Sequence, residues 1–424
     1  MKYVEYPALF DGYWQQVLPN GLTLRVVPRK GFAKIHAFYA MDYGAIDMEF
    51  ELDGKRVRTP GGVAHYLEHK MFDMPYGDAM TRFAELGGSP NAFTSHTMTA
   101  YFVECTENLE ENLKTLLEFV STPYFSQASV EKERGIIGQE IRMYRDSADS
   151  RVYDNLFEAM YHVHPVKVPI AGTEESIAEI TAETLELCHK AFYAPANGML
   201  CVVGDVEPEA IRDLAERYLP DIRSAKAKPV YGDEPASCVK KRVEDYMEVS
   251  MPMFVAGFKE LPPKPGMEAL KREFTGELAS DLLLGASSAL YTKLYEQGLI
   301  EGAFSAGFEG LKGMSMFSVS DDSKDPDAVV AAILKEAETA VVDREMFRRI
   351  KKAAVGRKLR EMDSFESVCF RSCAYFFEGA EYFDSLAALQ SVSAEDVENY
   401  IHSVIREENM CVSVIWPEEG SSCS

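Results

Sequence analysis

Several things are scarce in this chain, and each scarcity removes a class of function. Nowhere in the 424 residues do about 18 uncharged apolar residues follow one another, so no membrane-spanning helix is expected. The opening MKYVEYPALFDGYWQQ lacks the basic start and apolar run of a secretory signal, so secretion is not expected and a cytoplasmic location is. Basic residues are outnumbered, 44 Lys and Arg against 68 Asp and Glu, for a formal net charge of −24. Phosphate binding needs a basic footprint, so this balance argues against nucleic acid as a partner. The eight cysteines (Cys105, Cys188, Cys201, Cys238, Cys369, Cys373, Cys411, Cys423) are dispersed, and most sit in apolar surroundings. That is the usage of reduced core thiols, and disulfides are not expected. Histidine is also sparse, and of the eight only His402 lies in the second half.

What is present is an ordinary globular composition, 46% hydrophobic and 26% charged, with length enough for roughly two to three domains. The histidines are concentrated where chemistry can use them. In His65-Tyr66-Leu67-Glu68-His69, a helical backbone sets His65 and His69 one turn apart on one face with Glu68 beside the second. Two imidazoles so placed can hold one Zn²⁺ while the carboxylate leans over a bound water. The order His-x-x-Glu-His inverts the commoner His-Glu-x-x-His.

Around the motif, Asn20-Gly21 predicts a turn, and the β-rich runs Leu22–Val27 and Lys34–Tyr43 on either side of the basic bend Pro28–Gly31 read as two strands. The motif helix follows Gly61-Gly62 and runs to about Leu86, with a break near Pro75. Ala92–Cys105 has the alternation of a strand, and Glu107–Ser121 and Ser129–Arg145 read as helices. After the stretch 220–238, rich in Pro, Ala and charge, the pattern begins again with strand material at Val243–Phe258 and a helical stretch at Met267–Gln297. A strand at Gly307–Val319 and a charged helix at Arg344–Ser364 follow.

Thr181–Val203 and Ser393–Val414 both show a hydroxyl cap, an acidic first turn, an apolar helical face and a Met/Cys/Val strand. Their offset, 393 − 181 = 212, is half the chain and indicates an internal duplication. The expected organisation is a zinc-binding αβ domain over 1–222, a linker over 223–238, and a homologous αβ domain without a metal site over 239–424.

A catalytic zinc needs one further protein ligand and an open position. In Ser129–Arg145, Glu133 and Glu140 are seven apart, two turns along one face, so both can aim at the motif helix. Their spacing alone does not choose between them.

The combination GGVAHYLEHKMF, NAFT and EKERGIIGQEIRMYRD resembles the pitrilysin/insulinase family of zinc metallopeptidases, in particular its short two-domain members of the mitochondrial-processing-peptidase type and their bacterial relatives. YHVHPVKVPIAGTEESI and FYAPANGMLCVVGDV extend the resemblance over the first half; the second half follows it loosely. The resemblance implies Zn²⁺ on His65, His69 and Glu140, with Glu68 as general base and Glu133 as an auxiliary catalytic carboxylate behind the ligands. It implies a peptide bound extended along an exposed edge near Asn91, Ala92 and Thr94. The implied fold is α+β, two duplicated αβ halves, each an antiparallel sheet backed by helices, closing like a clam shell. The implied activity is endopeptidase action on extended peptides or unfolded segments, by a homodimer or a heterodimer with a related subunit. His96, His162 and His164 are left outside the site, and Cys369 and Cys373, one helical turn apart, are expected in the core.

The second half departs from the family pattern. Active members commonly present an Arg and, seven residues on, a Tyr; in LYTKLYEQGLIEGAFSAGF the corresponding places hold Tyr295 and, nearby, Phe304. Tyr291 or Tyr295 would then have to supply a hydroxyl, and the alternative expectation is a weakly active or non-catalytic peptide-binding subunit.

Overall fold

The computed structural model describes residues 1–9, 11–220 and 227–418. The chain folds into two compact units, the first comprising Met1–Ile141, Pro169–Tyr231 and Glu361–Phe377 and the second the remainder.

The first unit is built on a seven-stranded sheet: β1 (Lys2–Tyr6), β2 (Asp11–Val17), β3 (Thr23–Pro28), β4 (Ile35–Met41), β5 (Ser89–Thr94), β6 (Thr99–Cys105) and β7 (Gly198–Gly204). Their order is β1-β2-β3-β7-β4-β6-β5. Every neighbouring pair is antiparallel except β3 with β7, where Met199 lies opposite Thr23. The Asn20-Gly21 turn forms as its sequence predicts: Gly21 has φ 92° and Asn20 Oδ1 accepts from the Leu22 N–H at 3.2 Å.

The central strands are mostly apolar and buried because both faces of the sheet are covered; β7 is buried along its whole length, while Arg25 of β3 and His36 of β4 are buried polar exceptions. From β4, Ala37, Tyr39 and Met41 enter a core with Leu24, Val26, Tyr101, Leu116 and Leu200. From the other face, Phe38 stacks on Phe102 and the helix Phe365–Phe377 packs across, with Phe370 5.6 Å from Phe93. There Cys369 Sγ reaches the carbonyls of Cys201 at 3.6 Å and His36 at 3.9 Å, and Cys373 is equally buried, so this pair belongs to the core. Each such buried side chain contributes on the order of 1.5–3 kcal/mol.

The second unit repeats the plan with β8 (Arg242–Met247), β9 (Met253–Lys259), β10 (Ser305–Leu311), β11 (Met314–Asp322) and β12 (Met410–Pro417), in the order β8-β12-β9-β11-β10. Again one pair, β8 with β12, is parallel. This matches β3-β7-β4-β6-β5 strand for strand, which is the duplication indicated by the 212-residue offset. The repeated helices Ala182–Phe192 and Ala394–Val404 are capped by Thr181 and Ser393 and feed β7 and β12.

The units interleave in sequence. Ala148–Met160 packs on β9 and β12 of the second unit, while Phe365–Phe377 packs on β4 and β7 of the first. Each sheet thus takes one covering helix from the other half of the sequence. Residues 223–226 of the expected linker lie outside the described residues, as does Cys423; Lys228 and Pro229 pair with Glu51 and Phe50.

Four expected elements are divided. Gly307–Val319 is a hairpin, β10 and β11, because the chain turns at Lys312-Gly313, where Gly313 has φ 80° and Leu311 pairs with Met314. Ala92–Cys105 is a hairpin, β5 and β6, because Ser95 Oγ accepts from the N–H groups of Thr97 (3.3 Å) and Met98 (3.0 Å) and turns the chain. The motif helix stops at Met71, and Asp73-Met74 pairs with Gly77-Asp78 around Pro75 before Asp78 caps a second helix, Ala79–Glu85. Met267–Gln297 is two helices, Met267–Leu284 and Ala289–Glu296, the second capped by Ser288. Among the described residues no helix is long and apolar enough to cross a membrane.

Candidate metal centre

Two helices of the first unit carry the site, α1 (Val63–Met71) and α2 (Gln127–Arg145). The start of α1 is fixed by close backbone packing. Gly62 caps it at φ 85°, and a Cβ there would lie 2.4 Å from the carbonyl oxygen of Ala171, so only glycine fits. Ser176 Oγ donates to the Gly61 carbonyl at 2.8 Å from the same neighbouring segment. Further along α1, the Tyr66 hydroxyl donates to the Val130 carbonyl and ties α1 to α2.

With the helices so held, His65 and His69 stand one turn apart with ring centroids 4.6 Å apart. His65 Nε2 lies 3.6 Å from Glu140 Oε1, and His69 Nε2 lies 3.5 Å from Glu140 Oε2. These separations are long for direct hydrogen bonds. They suit donors around a common ion, since tetrahedral bonds of 2.0–2.1 Å put ligand atoms about 3.3 Å apart. Among the described residues no other three His, Cys, Asp or Glu side chains form a group able to hold a metal.

Glu133, two turns before Glu140, accepts from the other nitrogen of one ligand: its Oε1 is 3.0 Å from His69 Nδ1. That contact leaves Nε2 of His69 for a metal. His65 Nδ1 is buried with no hydrogen-bond partner among the described residues. Burial lowers the affinity of His69 for a proton, but the Glu133 hydrogen bond and the carboxylates of Glu68 and Glu140 outweigh it and raise its pKa.

Glu68 is only 8% exposed, and burial raises its carboxyl pKa against the opposing pull of His65, Thr94 and His69. Thr94 Oγ1 donates to Glu68 Oε2 at 2.8 Å. Thr94 closes β5, the edge strand of the sheet, on which Asn91 and Ala92 also lie. An edge strand presents unpaired backbone groups to any extended chain alongside.

The residues singled out from the sequence therefore divide. His65, Glu68, His69, Glu133 and Glu140 converge, and Thr94 joins them through Glu68. Asn91 and Ala92 sit along the neighbouring edge. His96 lies in the Ser95–Met98 turn, where its carbonyl accepts from the Ile46 N–H at 3.0 Å. His164 Nε2 contacts the Lys312 carbonyl at 2.8 Å in the second unit, a structural role. Sequence reading missed the Thr94 to Glu68 bond and the Ala171-Gly172 buttress under α1. Only the Thr of NAFT and the glycine pair before the motif hinted at them.

The profile described as "Insulinase (Peptidase family M16)" matches residues 57–174, which hold every residue of the centre, and "Peptidase M16 inactive domain" matches 179–353. A Bacillus subtilis (strain 168) protein named "Uncharacterized zinc protease YmfH" is 38% identical across 99% of this chain and 100% of its own length. The chain belongs to the M16, or insulinase, family of peptidases. The solved structure of an M16-like peptidase from Alicyclobacillus acidocaldarius superposes with a TM-score of 0.92 at 32% identity, covering 98% of this chain and 100% of that one. A Schizosaccharomyces pombe protein named "Probable mitochondrial-processing peptidase subunit beta" is 30% identical over 39% of this chain and 42% of its own. The donor set and the zinc proteases among these M16 relatives support Zn²⁺ as the metal.

Proposed function

We propose that this M16 protein is a zinc endopeptidase that hydrolyses peptide bonds of extended peptides or unfolded segments. The observation that carries the reading is the convergence of His65, His69 and Glu140 with a buried carboxylate, Glu68, that no metal ligation requires. Zn²⁺ held by these three side chains would polarise the scissile carbonyl and acidify water. Glu68 takes the proton of the attacking water and returns it to the leaving amine. Glu133 holds the His69 ring through Nδ1, so that ligand geometry survives the charge changes of the reaction. The β5 edge at Asn91–Thr94 binds the peptide main chain, which gives affinity with modest sequence selection. The seven described cysteines are all free, six of them buried, which supports a reducing, cytoplasmic setting.

A second reading rests on Tyr295 and Phe304. Tyr295 is 56% exposed on the helix Ala289–Glu296, its ring stacked 6.0 Å from Tyr291, and neither phenol supplies the positive charge of the family Arg. Stabilising the oxyanion is worth several kcal/mol, so on this reading the chain binds peptide, alone or as one subunit of a homodimer or heterodimer, with little cleavage. Zinc analysis with cleavage of unstructured peptides, comparing wild type with Glu68→Gln, decides between them. Zinc-dependent cleavage lost in the variant supports the peptidase; a zinc-loaded wild type that binds peptide and cuts nothing supports the second reading.

A further inference from the structure

We propose that Thr94 is the positioning residue for the general base, and that it ties Glu68 mechanically to the strand edge on which a peptide pairs. The inference rests on the peptidase reading above and gives Thr94 a different part from the peptide contact that resemblance implies.

Among the described residues, the 2.8 Å bond from Thr94 Oγ1 is the one side-chain hydrogen bond that Glu68 receives. A glutamate has three rotatable side-chain bonds, so without such a bond its carboxylate plane is free to swing. Accepting at Oε2 fixes that plane and leaves Oε1 as the free acceptor. The donor is itself well held. Threonine is β-branched and restricted at χ1; its backbone pairs with Thr99 on β6; and the next residue, Ser95, donates its N–H to Met98 at 2.8 Å and accepts at its carbonyl from Ala45 at 3.0 Å. A small displacement of β5 is therefore transmitted to the base through one hydroxyl.

The same residue closes the edge strand. A peptide added along β5 runs past the backbone of Asn91–Thr94, so the strand that grips substrate also carries the group that orients Glu68. Productive docking and base alignment are one event at Thr94, and misalignment of about 1 Å costs on the order of 100-fold in rate.

The test compares Thr94→Val, which keeps the shape and loses the donor, with Thr94→Ser, which restores a donor, in the full zinc-loaded chain. In Thr94→Val, kcat falls about 10–100-fold while KM stays within about twofold, and Thr94→Ser recovers most of the loss. In a Glu68→Gln background Thr94→Val has no further effect. Zinc affinity, read by chelator competition, is unchanged in both, and crystals of zinc-free Thr94→Val show the Glu68 carboxylate displaced from its wild-type position. A wild-type kcat in Thr94→Val, a rise in KM alone, loss of zinc affinity, or an undisplaced Glu68 overturns the proposal. If zinc-loaded wild type cuts no peptide, the peptidase reading fails separately, and the position of Glu68 in the Thr94→Val crystals still decides the positioning role.

Discussion

Glu133 Oε1 lies 3.0 Å from Nδ1 of His69, so one carboxylate on α2 decides which nitrogen of a ligand on α1 is left to face a metal. Partners of this kind set the tautomer and basicity of a ligating histidine, and their loss usually costs 10–100-fold in metal affinity. Glu133→Gln keeps the shape and weakens the acceptor. Competition with a chelating dye should show zinc binding weakened about 10–100-fold, with folding unaffected, while Glu140→Gln, which touches both Nε2 atoms, should weaken it far more.

Metal removal should destabilise the first unit. A ligand that binds only the folded state contributes about 2.7 kcal/mol when present at a hundred times its dissociation constant. The donors come from helices separated in sequence, His65 and His69 on α1 and Glu140 on α2, so an unfolded chain does not assemble them. Thermal unfolding with and without a strong chelator should therefore differ by several degrees in wild type and not at all in Glu140→Ala. An equal shift in both would place the stabilising ion elsewhere.

Gly62→Ala tests the packing under the motif helix. The position has φ 85°, and the added Cβ would meet the Ala171 carbonyl oxygen at 2.4 Å. Positive-φ strain alone costs on the order of 1 kcal/mol or more, and a backbone clash adds to it. The expected loss is about 2–4 kcal/mol by urea unfolding, with weakened zinc binding because α1 must shift. Gly31→Ala is the control: it has φ 83° and nothing within 4 Å of its Cβ, so it should carry the conformational cost alone.

Much of this was legible because the sequence repeats its own grammar. The Thr181 and Ser393 caps announce the same helix-to-strand passage in each half, and both form. The ligand helices were readable because a 3.6-residue period puts His65 with His69, and Glu133 with Glu140, on common faces. What escaped reading is set by contacts between distant segments. Nothing local in AFTSHTMTAYFVEC separates one strand from a hairpin until the Ser95 side chain is seen to accept two N–H bonds. The exchange of Ala148–Met160 and Phe365–Phe377 between sheets is equally invisible, since an amphipathic helix records that it covers a sheet and not which sheet. The Glu68 to Thr94 bond spans 26 residues and carries no pattern at all.

The second unit holds a pH-dependent lock. Glu234 accepts from three successive N–H groups, His162 (2.9 Å), Val163 (2.8 Å) and His164 (2.8 Å), and from Lys259 Nζ at 2.7 Å. Lys259 also donates to the carbonyls of Met160 and Ser237, each at 3.0 Å. Both side chains are under a tenth exposed, at 8% and 4%. Burial raises the Glu234 carboxyl, but Lys259 and the three N–H donors outweigh it and hold the pKa down at about 2. An unfolded glutamate titrates near 4.3, so the folded state favours the ionised form. The resulting stability is fully present above about pH 4.5 and is lost as pH falls through about 2, amounting to about 3 kcal/mol at 1.36 kcal/mol per unit. Glu234→Gln should cost about 3–5 kcal/mol at pH 7, because it leaves Lys259 charged without its carboxylate. It should also flatten the pH dependence of unfolding between pH 4.5 and 2 relative to wild type. Urea unfolding at a series of pH values measures both, and parallel pH profiles for the two proteins would show that Glu234 is not the titrating lock.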